Sequence, residues 1–293
     1  MDFKGSIPAL VTPFKNNAID RDTYVNLIER QIKAGSGALV PVGTTGESAT
    51  LSHAEHREAV SLCLEAAKGR VPVIAGCGSN STAEAIGLVE HAKDEGADAV
   101  LVVCPYYNKP DQDGLYAHFK AVNDAVAIPI ILYNVPRRTS SDLLPETVGK
   151  LAQLDNIVGI KDATGDLSRV TLHRNLAGEE FIQLSGDDPS ALGFCAMGGA
   201  GGISVTANVA PELSAKLFAA VASGNLKEAQ AIDAKLRGLH TGLFASPSPG
   251  PTKYALSRLG LCSEDVRLPI TPPKDAARAI VDAALMQAGL IED

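Results

Sequence analysis

The chain has 293 residues, 45% of them apolar, and a formal net charge of −8 with a pI near 5.3. That is ample for a sizeable core, and the lysines and arginines are scattered with no basic stripe to track a phosphate backbone, so a nucleic-acid partner is not expected. No apolar run approaches the ~18 residues of a membrane span, the start MDFKGSIPALVTPF does not read as a signal peptide, and the five cysteines form no Cys-x-x-Cys pair, so a reducing, cytoplasmic setting is expected.

In chain order, strand-like and helix-like runs alternate. SIPALVTPF precedes a helical pattern over 20–34, ALVPVG one over 52–68, VPVIAGCG one over 81–95, and AVLVVCP one over 112–126. IPIILYNV precedes a pattern over 145–154, IVGIKDAT one over 167–176, FIQLSGDD a short one over 191–197, and GISVT one over 211–222. The strand runs are nearly continuous in apolar residues, as parallel strands covered on both faces are. Eight such units in about 250 residues fit an α/β fold of the (β/α)8 TIM-barrel type. A doubly wound open sheet is the alternative, but no Gly-x-Gly-x-x-Gly follows the first strand. Ser52-x-x-Glu55 and Ser81-x-x-Glu84 carry the capping-box pattern, and Pro145 and Pro211 stand at first helical positions. After Gly224 the strands stop. Residues 225–293 read as a C-terminal helical extension, broken by the turn cluster ASPSPGP at 245–251 and packed on a barrel of residues 1–224.

In such a barrel the active site lies at the C-terminal strand ends. These carry Thr12, GTTGE at 43–47, Tyr106 and Tyr107, YNVPRRT at 133–139, Lys161 with Asp162, and SGDD at 185–188. Strand alternation groups Ile157, Gly159 and Lys161 on one face and Val158 and Ile160 on the other. With the second face toward the helices, Lys161 points into the barrel mouth and Gly159 leaves room for its stem. Lys161 then either snorkels to water or, with burial favouring a neutral amine, attacks a carbonyl to form a Schiff base. Tyr133 shares the parity of Ile131, so its phenol enters the same mouth, as a proton shuttle or simply as an aromatic with a polar tip.

GTTGE offers backbone N–H groups and the hydroxyls of Thr44 and Thr45 to a carboxylate, or is a plain turn; it lacks the Gly-Lys-Ser/Thr of a phosphate loop. Of Arg137 and Arg138, one suits a bidentate grip on a substrate carboxylate and the other a solvated position. The acidic SGDDPS loop, and the placing of MGGAGGI before the last strand, disfavour a phosphorylated substrate. HAEH at 53–56 lacks the His-Glu-x-x-His spacing of zinc proteases, so no metal site is expected there.

GTTGE, YNVPRRT, GIKDATGD and SGDD, in this order, resemble the dihydrodipicolinate synthase family of Schiff-base aldolases, whose superfamily includes N-acetylneuraminate lyase. The resemblance covers essentially the whole chain. It implies condensation of pyruvate with aspartate 4-semialdehyde to 4-hydroxy-tetrahydrodipicolinate, the entry into the diaminopimelate route to lysine, without metal or organic cofactor. It implies a pyruvate Schiff base on Lys161 and a proton relay of Tyr133, Thr45 and Tyr107, the last reaching across a subunit interface. Thr44 would line the pyruvate pocket with backbone groups at Gly186 and Ile203, and Arg138 would hold the semialdehyde carboxylate. It further implies a homotetramer of tight dimers, and feedback inhibition by lysine at Ser48, Ala49, His53, His56, Asn80, Glu84 and Tyr106. Two features depart from many members: Ser140 stands where Gly is common, and Arg137 adds a second cation. The competing readings are a pyruvate-dependent aldolase for a sugar acid, of the 2-keto-3-deoxygluconate or N-acetylneuraminate type, and a non-catalytic barrel that senses pyruvate or lysine.

Overall fold

The structure, a computed structural model, describes residues 3–292. Seven parallel strands form one sheet: Gly5–Pro8 (β1), Ile74–Gly76 (β2), Ala99–Val103 (β3), Ile130–Asn134 (β4), Ile157–Asp162 (β5), Ile182–Ser185 (β6) and Gly201–Ser204 (β7). From β2 to β7 each pairs with the next, and β7 pairs with β1. The remaining gap, between β1 and β2, is filled by the segment expected as the second strand. It makes only two parallel bridges, Ala9 with Val40 and Leu39 with Val73. Val40 donates to the Pro8 carbonyl at 3.0 Å and Leu39 to that of Pro72 at 2.9 Å, which closes the (β/α)8 barrel. The eighth wall stays this short because Pro41 has no N–H for a ladder and Val42, at φ 47°, leaves the extended region.

Alternation sorts the strand side chains into two layers. Ile7, Val40, Ile74, Leu101, Ile131, Tyr133, Leu184 and Ile203 pack inside the barrel. Val100, Val102, Ile130, Leu132 and Ile160 face outward against Val60, Val89, Phe119 and Leu151 from the surrounding helices. On β5 the observed layering departs from simple alternation. Ile130 lies opposite Ile157, but Ile131 lies opposite Gly159, so Val158 is an inserted residue in the ladder. Gly159 and Lys161 keep the expected inward face. Below the bulge the parity reverses: Ile157 joins Ile160 in the outer layer, and Val158 packs against the inner one.

The cap at Ser52 is a complete capping box on helix His53–Ala67. The one expected at Ser81 forms by half. Ser81 accepts from the Glu84 amide, but its own N–H donates to Ser79 Oγ at 3.0 Å, so the Glu84 carboxylate is free of the cap. Pro145 and Pro211 open their helices as expected. The helices Leu226–Gly242, Gly250–Arg258 and Asp275–Gln287 share a core with Leu217 of helix Pro211–Ala222, through Leu236, Leu239, Tyr254, Leu256, Val281 and Leu285. All five cysteines are free, and among the described residues no helix is long and apolar enough to cross a membrane.

His118, on helix Gln112–Ala125, is buried with Nδ1 at 2.9 Å from Thr82 Oγ1, and burial pulls it down to about 4. The unfolded chain therefore binds more protons than the native one between about 4 and 6.5, and stability is lost as pH falls through that window. Urea unfolding of the wild type should lose roughly 3 kcal/mol through this residue between pH 7 and pH 4. His118→Gln should flatten the slope by that amount; an unchanged slope contradicts the assignment.

Candidate active site

Lys161 is the fifth residue of β5 and 6% exposed. The ladder sets it opposite Tyr133 of β4, and its Nζ lies 4.1 Å from the Tyr133 ring centroid. Among the described residues no carboxylate forms an ion pair with it. A Cβ at Gly186 would stand 3.0 Å from Lys161 Cε and 3.1 Å from its Cγ. Gly186, in the loop after β6, is thus the residue that leaves room for the lysine stem. The expectation that Gly159 does so is corrected: a Cβ there would meet the Ile182 carbonyl at 2.4 Å, so its role is the close approach of β5 and β6. Neighbouring Asp162 is occupied by Thr164, whose N–H and hydroxyl donate to its Oδ1 at 2.7 and 2.5 Å.

A cavity of about 430 Å³ opens at the C-terminal ends of the strands. Its lining includes Thr44, Leu101, Val103, Tyr133 and Arg138 together with Ser48, Ala49, His53, His56, Glu84 and Tyr106. Lys161, Thr45, Gly186 and Ile203 are not on its wall; Lys161 adjoins it through Tyr133. GTTGE folds as a single 3-10 turn, Thr44–Gly46, with Thr45 buried and Thr44 exposed. Thr12, from the loop after β1, donates its hydroxyl to the Gly46 carbonyl at 2.8 Å, so it holds the turn.

The two arginines separate. Arg137 pairs with Asp187 at 3.2 Å, whereas Arg138 is exposed, lines the cavity and forms no ion pair among the described residues. Asp188 accepts from the amides of Val205 and Thr206 at 3.0 and 2.9 Å, which assigns the end of SGDD to holding the chain after β7. On the same cavity wall His53 Nε2 meets Glu84 at 2.7 Å, and Ser79 also donates to Glu84. These two hydrogen bonds, that of Ser79 foremost, hold the Glu84 carboxyl below its usual range. His56 is buried with Nε2 at 2.8 Å from the Gly76 carbonyl, and desolvation pushes it down to about 4. It is therefore neutral, donates from Nε2, and leaves Nδ1 without a partner.

Tyr107 and Asn80 are likewise absent from the cavity wall within one chain. Tyr107 is 88% exposed at φ 72°, pointing into solvent, and Asn80 contributes its carbonyl to Asn108 Nδ2 at 2.9 Å. Conversely, the chain beyond residue 224 supplies wall that sequence reading missed: Ser248, Pro249, Pro269 and Ile270 line the cavity, and Lys253 meets Glu47 of the GTTGE turn at 2.6 Å. A lysine inside the largely apolar stretch PTKYAL was the available signal, an anomaly of the kind that singled out Lys161.

This architecture is shared with known proteins. The 4-hydroxy-tetrahydrodipicolinate synthase of Hyphomonas neptunium is 67% identical over 290 residues, covering 98% of this chain and 99% of that protein. Among solved structures, the chloride-inhibited dihydrodipicolinate synthase from Acinetobacter baumannii, complexed with pyruvate, superposes with a TM-score of 0.96 at 44% identity over 99% of this chain and 100% of that one. The DHDPS from Cyanidioschyzon merolae with lysine bound gives a TM-score of 0.95 at 38% identity, covering 99% of both chains. The sequence profile of the Dihydrodipicolinate synthetase family matches residues 2–288. With the whole barrel, its C-terminal helices and the lysine-bearing strand all inside that match, the chain belongs to the dihydrodipicolinate synthetase family.

Proposed function

We propose that the protein is a 4-hydroxy-tetrahydrodipicolinate synthase, a lyase that condenses pyruvate with aspartate 4-semialdehyde through a Schiff base on Lys161. The observation that carries this reading is the Lys161 amine, buried beside the Tyr133 ring and engaged by no carboxylate among the described residues. Such an amine is free to add to the pyruvate C2 carbonyl; loss of water gives an imine. The protonated imine draws electrons from C3, which loses a proton to give the enamine. The enamine carbon then attacks the aldehyde, and the new alkoxide takes a proton. Tyr133 and Thr45 are the groups we assign to that transfer, with Tyr107 supplied by a second copy of the chain. The substrate's own amine adds to the imine carbon and displaces Lys161, closing the ring and regenerating the free lysine.

Pyruvate is placed against Thr44 and Thr45 and the backbone at Gly186 and Ile203. Arg138 receives the semialdehyde carboxylate, a role supported by its lack of an ion pair among the described residues where Arg137 is already held by Asp187. A free cation at the cavity also favours an anionic aldehyde over the neutral sugar aldehyde of the sugar-acid aldolases. Lysine is assigned as an inhibitor at Ser48, Ala49, His53, His56, Asn80, Glu84 and Tyr106, the Glu84 carboxylate facing its ammonium group. The largely exposed Tyr107 supports a homo-oligomer, which we take to be a dimer of tight dimers in the cytoplasm. Residues 225–293 are assigned as an extension of the barrel of residues 1–224.

Arg138→Ala should raise the KM for aspartate semialdehyde at least tenfold with little change in that for pyruvate, measured in a coupled condensation assay. An equal response of both constants would remove Arg138 from the aldehyde site, and faster turnover of a neutral sugar aldehyde would favour the sugar-acid aldolase. Gly186→Ala, whose Cβ meets the Lys161 stem, should lower kcat at least tenfold in the same assay, and wild-type turnover would contradict the packing role. Glu84→Ala should raise the lysine concentration for half-inhibition at least tenfold with basal turnover retained; unaltered inhibition would move the effector elsewhere.

A further inference from the structure

We infer that Lys253 is a positioning residue for the reaction: its buried ammonium, through Glu47, holds the Thr44–Gly46 turn in the conformation that sets Thr45. The inference rests on the reading of Thr45 as a member of the proton relay. Lys253 lies on helix Gly250–Arg258 and is 0% exposed. Its Nζ meets Glu47 Oε1 at 2.6 Å, donates to the Asp265 carbonyl at 2.8 Å, and lies 4.0 Å from the Phe14 ring centroid. The second Glu47 oxygen accepts from the Arg267 amide at 2.9 Å. The Arg267 guanidinium in turn grips both Glu55 oxygens, at 2.5 and 2.9 Å, and the Thr50 and Asn17 carbonyls. Two points of the C-terminal chain are thus pinned to one carboxylate at the end of the turn.

The turn needs holding because it is strained at both ends. Val42, φ 47°, and Glu47, φ 57°, sit in the left-handed region, where a β-branched residue is an outlier. Such residues persist where the surroundings over-determine them, and they cluster where chemistry requires a fixed geometry. The clamps on this turn are the Thr12 hydroxyl on the Gly46 carbonyl and the Glu47 carboxylate in its cationic socket. Sealing a lysine and a glutamate in the interior is a weak source of stability, since a well-packed neutral pair of similar volume generally serves as well. A buried ion pair at the end of a strained turn that carries Thr45 is explained by geometry rather than by folding.

Lys253→Met, Glu47→Gln and the double variant separate these roles. Lys253→Met leaves the Glu47 carboxylate buried without its counter-ion, and Glu47→Gln takes the counter-charge from the buried ammonium; each should lower the unfolding temperature, and the double variant should recover most of the loss. If the pair positions Thr45, the recovered double variant still binds pyruvate with a KM within threefold of wild type and still traps it on Lys161 under borohydride. Its kcat falls at least tenfold, and amide exchange at Gly46 and Glu47 rises at least tenfold without substrate. A folded double variant with wild-type kcat and wild-type exchange overturns the inference. Should the double variant not fold, Glu47→Gln, which keeps an oxygen facing the ammonium, is measured instead: a tenfold loss of kcat with faster exchange supports the inference, and wild-type values of both overturn it. If the wild type itself traps no pyruvate, the Schiff-base reading falls, and the exchange measurement alone decides the inference.

Discussion

A buried amine with no carboxylate partner among the described residues is the constraint around which the site is arranged. Among the described residues two lysines are almost completely buried, and their surroundings differ in kind. Lys253 has a carboxylate and a carbonyl, the mark of a cation held for structural purposes. Lys161 has the face of Tyr133 and the space left by Gly186. With no carboxylate on it among the described residues, that nitrogen is open to a ligand approaching from the barrel mouth.

The barrel turns this one side chain into a site by controlling what stands beside it. Ladder register places Tyr133 opposite Lys161 on the next strand, so phenol and amine need no loop to bring them together. The loops supply what differs in polarity: a strained hydroxyl-bearing turn after the short second wall, and the Arg138 guanidinium after β4. The helices beyond the barrel also take part. They close the cavity with Ser248, Pro249, Pro269 and Ile270 and fix the turn through Lys253 and Arg267, so the C-terminal extension belongs to the site as much as to the core.

Much of this was legible in the sequence for physical reasons. Parallel strands covered on both faces leave continuous apolar runs, which made eight barrel walls readable, and a lysine ending such a run is conspicuous because it breaks the pattern. Other features left no local trace. Pro41 and the left-handed Val42 cut the second strand to two bridges, although ALVPVG reads as a strand. The bulge at Val158 reversed the faces of Ile157 and Val158 because register depends on the partner strand. Gly159 and Gly186 looked alike in sequence, and only the neighbouring atoms show which one makes room for Lys161. Ser81-x-x-Glu84 satisfied the capping pattern, yet Ser79 and His53 captured the carboxylate. The Glu47–Lys253 pair joins residues about two hundred positions apart and leaves no spacing to detect.

The most direct test of the account is chemical trapping at Lys161. The protein is incubated with pyruvate, reduced with borohydride, and analysed by intact mass and peptide mapping. The account predicts one pyruvate-derived adduct per chain, located on Lys161. A folded protein with no adduct, or with the adduct on another lysine, would contradict it.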